Sequence, residues 1–127
     1  MQKLRVLVAD DIKIMRALLK SNLATYNCDV VAQVQNGNEV AENIEKYKPH
    51  LVFLDINMPG KNGLEVLKEI KSQFTDVFVA MVSGHNTFEN IKQATDLGAD
   101  GFVVKPFTSV KIKEVIDKYH AGNADHE

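Results

Sequence analysis

Short apolar runs alternate with amphipathic stretches along the chain. The runs are Leu4–Ala9, Val30–Val34, Leu51–Leu54, Val77–Val82 and Phe102–Val104. Most are rich in Val, Leu, Phe and Ile, and the middle ones are apolar on both faces, the pattern of strands buried in a parallel sheet. Between the runs, apolar residues recur three and four apart. The sets are Ile12, Met15, Leu19 and Leu23; Val40, Ile44 and Tyr47; Leu67, Ile70 and Phe74; Phe88, Ile91 and Leu97; and Ile112, Val115, Ile116 and Tyr119. Each draws one apolar stripe, as a helix lying on a sheet requires. Asn36 followed by Glu39, and Asn86 followed by Glu89, predict capping boxes at two helix starts. Gly98 after Leu97 predicts a left-handed helix stop.

Five strand–helix pairs therefore occupy Leu4 to about His120 and predict an α/β fold with a parallel sheet and right-handed crossovers. We assign residues 1–120 to one domain and residues 121–127 to a polar C-terminal tail expected to fray. The pattern shows no linker, repeat or second domain. Met15, Met58 and Met81 read as packing residues.

Composition narrows the function classes. The chain has 127 residues, 45% hydrophobic and 25% charged, so it is long enough for a real core and has the balance of a globular domain. A net charge of −2 gives no whole-chain attraction to nucleic acid or an anionic membrane. Cys28 is the only cysteine, which excludes an intramolecular disulfide and a Cys-rich metal site. The first residues reach Asp10 and Asp11 without the long apolar stretch of a signal peptide. No run approaches the roughly 18 apolar residues of a membrane span. A cytoplasmic location is expected, with neither a membrane nor nucleic acid as direct partner.

Ligands of open α/β sheets bind beyond the carboxyl ends of the strands. Asp10 and Asp11 follow the first run, Asp55 ends the third, Ser83 follows the fourth, and Lys105 and Pro106 follow the fifth. The second is followed by Gln35, Asn36 and Gly37, without charge. Two carboxylates about 5 Å apart repel by roughly 3 kcal/mol at an effective dielectric near 20. Three acids against one lysine call for a cation or a retained proton. Mg²⁺, a hard ion that takes carboxylate, phosphate and water oxygens, fits such a set. Carboxylates also serve as nucleophiles in phosphoryl transfer, which needs mainly positioning and charge stabilisation.

These residues resemble the receiver domains of two-component response regulators, especially stand-alone CheY-like receivers. The likeness rests on Val8-Ala9-Asp10-Asp11, on Leu54-Asp55-Ile56-Asn57-Met58-Pro59-Gly60 with Gly63, on Val82-Ser83-Gly84, and on Gly101-Phe102-Val103-Val104-Lys105-Pro106-Phe107. It covers Leu4 to about Tyr119. It implies a doubly wound, flavodoxin-like sheet in the order 2-1-3-4-5 flanked by five helices. In that order the first and third strands are neighbours about 4.8 Å apart, placing the Asp11 and Asp55 backbones on adjacent tracks. The fifth lies roughly 10 Å from the third, a gap that a lysine stem spans.

The resemblance further implies a phosphoacceptor switch rather than an enzyme. Asp55 would be the phosphoacceptor. Asp11, Asp55 and the Asn57 backbone carbonyl would ligate Mg²⁺, with Asp10 acting through water or electrostatics. Lys105 would pair with the phosphoryl group and Ser83 would be the switch hydroxyl. Phe102 would be the switch aromatic, where the family often has Tyr, so an output read through a phenol hydroxyl is not expected. Lys105-Pro106 would be a cis peptide. Asn57 and His85 would tune loss of the phosphoryl group. The donor would be a histidine kinase or a histidine phosphotransfer protein. The output partner, a downstream protein in chemotaxis, motor control or phosphorelay, would bind the face made by the fourth helix, fifth strand and fifth helix.

Simpler readings stand beside these. On these, Asp10 or Asp11 only caps the first helix, Ser83 is a turn residue, and Lys105 is a surface lysine. A Mg²⁺-dependent phosphatase of the haloacid dehalogenase type would instead carry Asp-x-Asp after its first strand. A flavin carrier would need a hydroxyl- and glycine-rich loop there. A degenerate receiver serving only as a docking module would lack part of the acid, serine and lysine set.

Overall fold

The apolar runs become strands because each has two faces to bury and is flanked by a helix that buries them. The computed structural model describes residues 3–84 and 88–123. Along the chain lie β1 (Leu4–Ala9), α1 (Lys13–Thr25), β2 (Cys28–Val34), a 3₁₀ turn (Gly37–Glu39), α2 (Val40–Tyr47), β3 (Leu51–Asp55), α3 (Gly63–Gln73), β4 (Phe78–Ser83), α4 (Phe88–Asp96), β5 (Gly101–Val104) and α5 (Ser109–Asn123). All strand pairs are parallel, and the order is β2-β1-β3-β4-β5. This is the doubly wound sheet that the resemblance implies.

Alternation along each strand divides the core into two layers. Leu7, Val52, Leu54, Val79 and Met81 face Val40 and Ile44 of α2, Val66, Leu67 and Ile70 of α3, and Ala94 of α4. Val6, Val8, Leu51, Phe53, Ala80, Val82 and Val103 face Leu19 and Leu23 of α1 and Ile112, Val115 and Ile116 of α5. Met58 and Met81 are buried in the first layer, as packing residues should be.

Several local expectations need correction. Asn36 does not form a capping box with Glu39. Its Oδ1 accepts from the Asn38 amide at 2.8 Å and caps the 3₁₀ turn, while α2 starts after Glu39 without a side-chain cap. A capping box does form at the start of α3, where Asn62 Oδ1 accepts from Leu64 and Glu65 amides at 3.0 Å and Glu65 reaches back to the Asn62 amide. Asn86 lies outside the described residues. Gly98, at φ +98°, takes the left-handed conformation expected after α4. The apolar stripes overstate burial: Ile12, Tyr47, Phe88 and Ile91 are exposed. Ile12 and Tyr47 sit at the termini of their helices, and α4 meets the core through Ala94 and, just past its end, Leu97. α5 continues to Asn123 and so takes in the first three residues of the expected tail. Among the described residues no helix is long and apolar enough to cross a membrane.

Candidate functional site

Parallel register fixes what emerges at the carboxyl edge. Ala9 pairs with Leu54, so the next residues on those tracks, Asp10 and Asp55, leave the sheet side by side. Asp11 follows one residue further out, on the track adjacent to that of Asp55 as expected, and is exposed. Ser83 pairs with Val104, and its carbonyl accepts the Lys105 amide at 2.9 Å, so the fifth strand's exit is tied to the fourth's. The Lys105-Pro106 bond is cis.

Among the described residues, Asp10, Asp55 and Ser83 are the only polar or charged side chains buried in the protein. All three stand at this edge. Burying a carboxylate is costly unless it is paired and hydrogen-bonded. Asp10 Oδ1 accepts from the Ile12 amide at 2.9 Å. Asp55 Oδ1 accepts from the Asn57 amide at 3.3 Å. Lys105 spans the gap left by β4, its Nζ 2.9 Å from Asp10 Oδ2 and 3.3 Å from Asp55 Oδ2. The Asp10 contact lies off the hydrogen-bond direction, so Oδ2 is paired in charge yet accepts no directed hydrogen bond.

Neither acid serves as a conventional cap for α1. Ile12 is the N-cap residue, and no side chain caps the helix there. The Asp11 carboxylate makes no hydrogen bond or ion pair among the described residues and stands at the mouth of a cavity of about 320 Å³. Ile12, Asp55, Asn57, Gly84 and Lys105 also line that cavity. One oxygen each of Asp10, Asp11 and Asp55 lie within 4.8 Å of one another. At that spacing each carboxylate pair repels by roughly 3 kcal/mol for an effective dielectric near 20. One ammonium cannot offset three such charges.

Titration reflects the crowding. Burial, followed by the Asp10 charge, raises the Asp55 pKa above the ordinary carboxylate value against the opposing pull of Lys105 and the Asn57 amide. Burial works to lower the Lys105 pKa, but its contact with Asp10 and the charges of Asp55 and Asp10 outweigh it, so the pKa is raised and the lysine stays an ammonium.

Phe102 is half-buried against the layer formed with α2, α3 and α4, and Val104, two residues on, is exposed. His85 lies outside the described residues. Two features of the site escaped the sequence pattern. Ile12, read as part of a helical stripe, lines the cavity. The uncharged end of β2 supports the loop after Asp55: the Gly37 amide donates to the Pro59 carbonyl at 3.1 Å. The Asn-Gly-Asn tripeptide at 36–38, a turn signal after an apolar run, is the mark that points to it.

With this geometry in place, comparison with known proteins identifies the family. The family model for the response regulator receiver domain matches residues 6–117. The chain belongs to the response regulator receiver family. This receiver is 35% identical to the chemotaxis protein CheY of Bacillus subtilis over 114 residues, which is 90% of this chain and 95% of that protein. It superposes with a TM-score of 0.88 on the signal receiver domain of the response regulator NarL from Mycobacterium tuberculosis, at 30% identity and covering 94% of this chain and 98% of that one. The CheX–CheY–BeF₃–Mg²⁺ complex from Borrelia burgdorferi contains a chain of the same fold, with a TM-score of 0.87 at 23% identity, covering 91% and 87% of the two chains. Receivers of this family are signalling switches in two-component systems.

Proposed function

We propose that Asp55 of this receiver accepts a phosphoryl group from a phosphohistidine on a histidine kinase or a histidine phosphotransfer protein, with Mg²⁺ held beside it. The observation that carries the reading is the meeting of three carboxylates within 4.8 Å over a single ammonium.

The residues fit the ion. The donors are all oxygens, their charge exceeds that of Lys105, and Asp10 Oδ2 accepts no directed hydrogen bond. Asp11, Asp55 and the Asn57 carbonyl would hold Mg²⁺, with the buried Asp10 acting behind them through water or charge. When bound, the ion neutralises charge on the acids and the phosphoryl oxygens.

In the transfer, an Asp55 carboxylate oxygen attacks phosphorus. The new P–O bond forms as the P–N bond to the donor imidazole breaks, and the imidazole leaves with the bonding pair and takes up a proton. Lys105, already within 3.3 Å of Asp55, pairs with a phosphoryl oxygen. Ser83, at the end of β4 on the neighbouring track, supplies the hydroxyl that bonds the phosphorylated form. Those contacts differ between the two states, and only a differential interaction can shift their populations. Phe102 then changes its packing, and the face of α4, β5 and α5 presents a different surface to a downstream protein, in chemotaxis, motor control or a phosphorelay. Asn57 at the cavity mouth and His85, two residues beyond Ser83, govern how fast water removes the group. The switch works in the cytoplasm, without binding nucleic acid directly.

The phosphatase reading is weaker, because the buried nucleophile candidate stands on β3 and the acids after β1 are adjacent. The intact set of acids, serine and lysine likewise disfavours a docking module alone. Acetyl phosphate with Mg²⁺ is expected to add one phosphoryl group by intact mass, and Asp55→Asn or a chelator to abolish the addition. Labelling that persists in Asp55→Asn moves the acceptor elsewhere and overturns the reading.

A further inference from the structure

The loop from Ile56 to Asn62 carries the Asn57 carbonyl and is held from two sides. On the α3 side, the Gly63 amide donates to the Ile56 carbonyl at 2.6 Å, and a Cβ at Gly63 would stand 2.2 Å from the Asp55 carbonyl oxygen. On the other side stands the turn Asn36-Gly37-Asn38. The Gly37 amide donates to Pro59, and a Cβ on Gly37 would stand 1.8 Å from the Lys61 carbonyl oxygen, far inside contact distance. Gly60, at φ +76°, lies over the same turn, where a Cβ would come within 2.3 Å of Asn36 Oδ1 and 2.7 Å of Asn38 Nδ2. The turn is itself fixed by Asn36 Oδ1 on the Asn38 amide. Met58, buried in the core, pins the middle of the loop.

The backbone at Lys61 thus leaves Gly37 no room for a side chain, while Gly60 is restricted by its positive φ and by the side-chain amides of Asn36 and Asn38. Among the described residues, β2 is the one strand whose carboxyl end contributes nothing to the lining of the acidic cavity, yet its exit turn abuts the loop that completes that cavity. We infer that the turn at 36–38 is a positioning element. It sets where the Asn57 carbonyl lies relative to Asp11 and Asp55, and so sets Mg²⁺ affinity without touching the ion. A side chain at Gly37 displaces Lys61, and the displacement is transmitted along 59–61, because Gly63 and Met58 prevent the loop from relaxing outward. The inference rests on the proposed roles of Asp55 and Asn57.

The test uses the full chain and Mg²⁺ alone as probe. Gly37→Ala is compared with Ile44→Val, a core change in α2 remote from the loop. Two readouts are taken: Mg²⁺ affinity by calorimetry, and amide hydrogen exchange of residues 57–61 in metal-free protein. Gly37→Ala is expected to weaken Mg²⁺ about tenfold and to speed exchange in the loop, while Ile44→Val changes neither by more than about twofold. Asn36→Ala, which removes the cap on Asn38 and leaves the backbone free to fold, is expected to give a smaller change of the same sign. Asn36→Asp, which keeps the acceptor, restores it. Loop exchange and affinity within twofold of the original in both Gly37→Ala and Asn36→Ala overturn the positioning role; if Gly37→Ala does not fold, the Asn36 pair decides. If the unaltered chain binds no Mg²⁺, the phosphoacceptor reading fails separately, and loop exchange alone decides this one.

Discussion

At the amino-terminal edge of the sheet, polar groups are matched to partners. Arg5 donates through Nε and Nη2 to the Lys48 carbonyl at 3.1 and 2.9 Å. His50 Nδ1 accepts the Arg5 amide at 3.0 Å. Lys71 Nζ donates to the Val77 carbonyl at 2.9 Å and to Asp100 Oδ2 at 2.6 Å, and the same carboxylate oxygen accepts the Val79 amide at 2.9 Å. At the carboxyl edge, three carboxylates crowd one another, one ammonium pairs with two of them, and Asp10 Oδ2 is left without a directed hydrogen bond. The same sheet therefore has one edge whose polar groups are paired and another whose carboxylates outnumber their cation. A residue at the first edge should affect folding and not metal binding. A residue at the second should affect the two in opposite directions.

The largest expected effect that sharpens this contrast comes from the ion. Mg²⁺ at one hundred times its Kd stabilises the fold by about 2.7 kcal/mol if it binds only the native state. Thermal unfolding with and without Mg²⁺ measures it, and a Tm that ignores Mg²⁺ would remove the carboxyl edge from the comparison. Next comes Asp100→Ala at the opposite edge. It leaves the Val79 amide and Lys71 without their carboxylate, and should cost about 1–3 kcal/mol in urea unfolding. Mg²⁺ affinity should stay within twofold; a large loss there would mean that the edges are coupled.

Asp11→Asn should act the other way. Easing the repulsion at an exposed, solvent-screened position raises metal-free stability by a few tenths to about 1 kcal/mol, while Mg²⁺ binding falls at least tenfold. A variant that is less stable without metal would contradict the idea of stored repulsion. The smallest effect concerns pH. Burial, and then the neighbouring Arg5 charge, lower the His50 pKa. The unfolded chain therefore binds the proton more readily, so the contribution of His50 to stability is complete above its ordinary pKa of about 6.5 and is lost as pH falls through the lower folded value. His50→Asn keeps an acceptor for the Arg5 amide and removes the titration. It should flatten the decline in Tm on acidification below about pH 6.5, and an unchanged slope would assign that decline to other groups.

Much of the fold was legible because burial on two faces leaves a mark in each segment separately. Leu51–Leu54 could become only a buried strand in this context, and Leu67 with Ile70 could lie only on a helix face. Asp10, Asp11, Asp55, Ser83 and Lys105 were legible as a set because each stands where an apolar run ends. The ends of stripes read less well. Phe88 has helical spacing yet is exposed, since periodicity records a face without recording how far a neighbour covers it. Asn62 and Glu65, which do form a capping box, have the same spacing as Asn36 and Glu39, which do not; the following backbone decides between an α-helix and a 3₁₀ turn.

By itself the sequence determined the α/β class, the five strand–helix pairs and the residue types gathered at the strand ends. These follow from local hydrophobic period and from where each apolar run stops. Tertiary structure decided that Asp10 rather than Asp11 stands beside Asp55, that Lys105 reaches both buried acids, and that the turn at Gly37 supports the loop after Asp55. Those facts depend on register between strands and on close approach of segments more than twenty residues apart, and no local pattern encodes either.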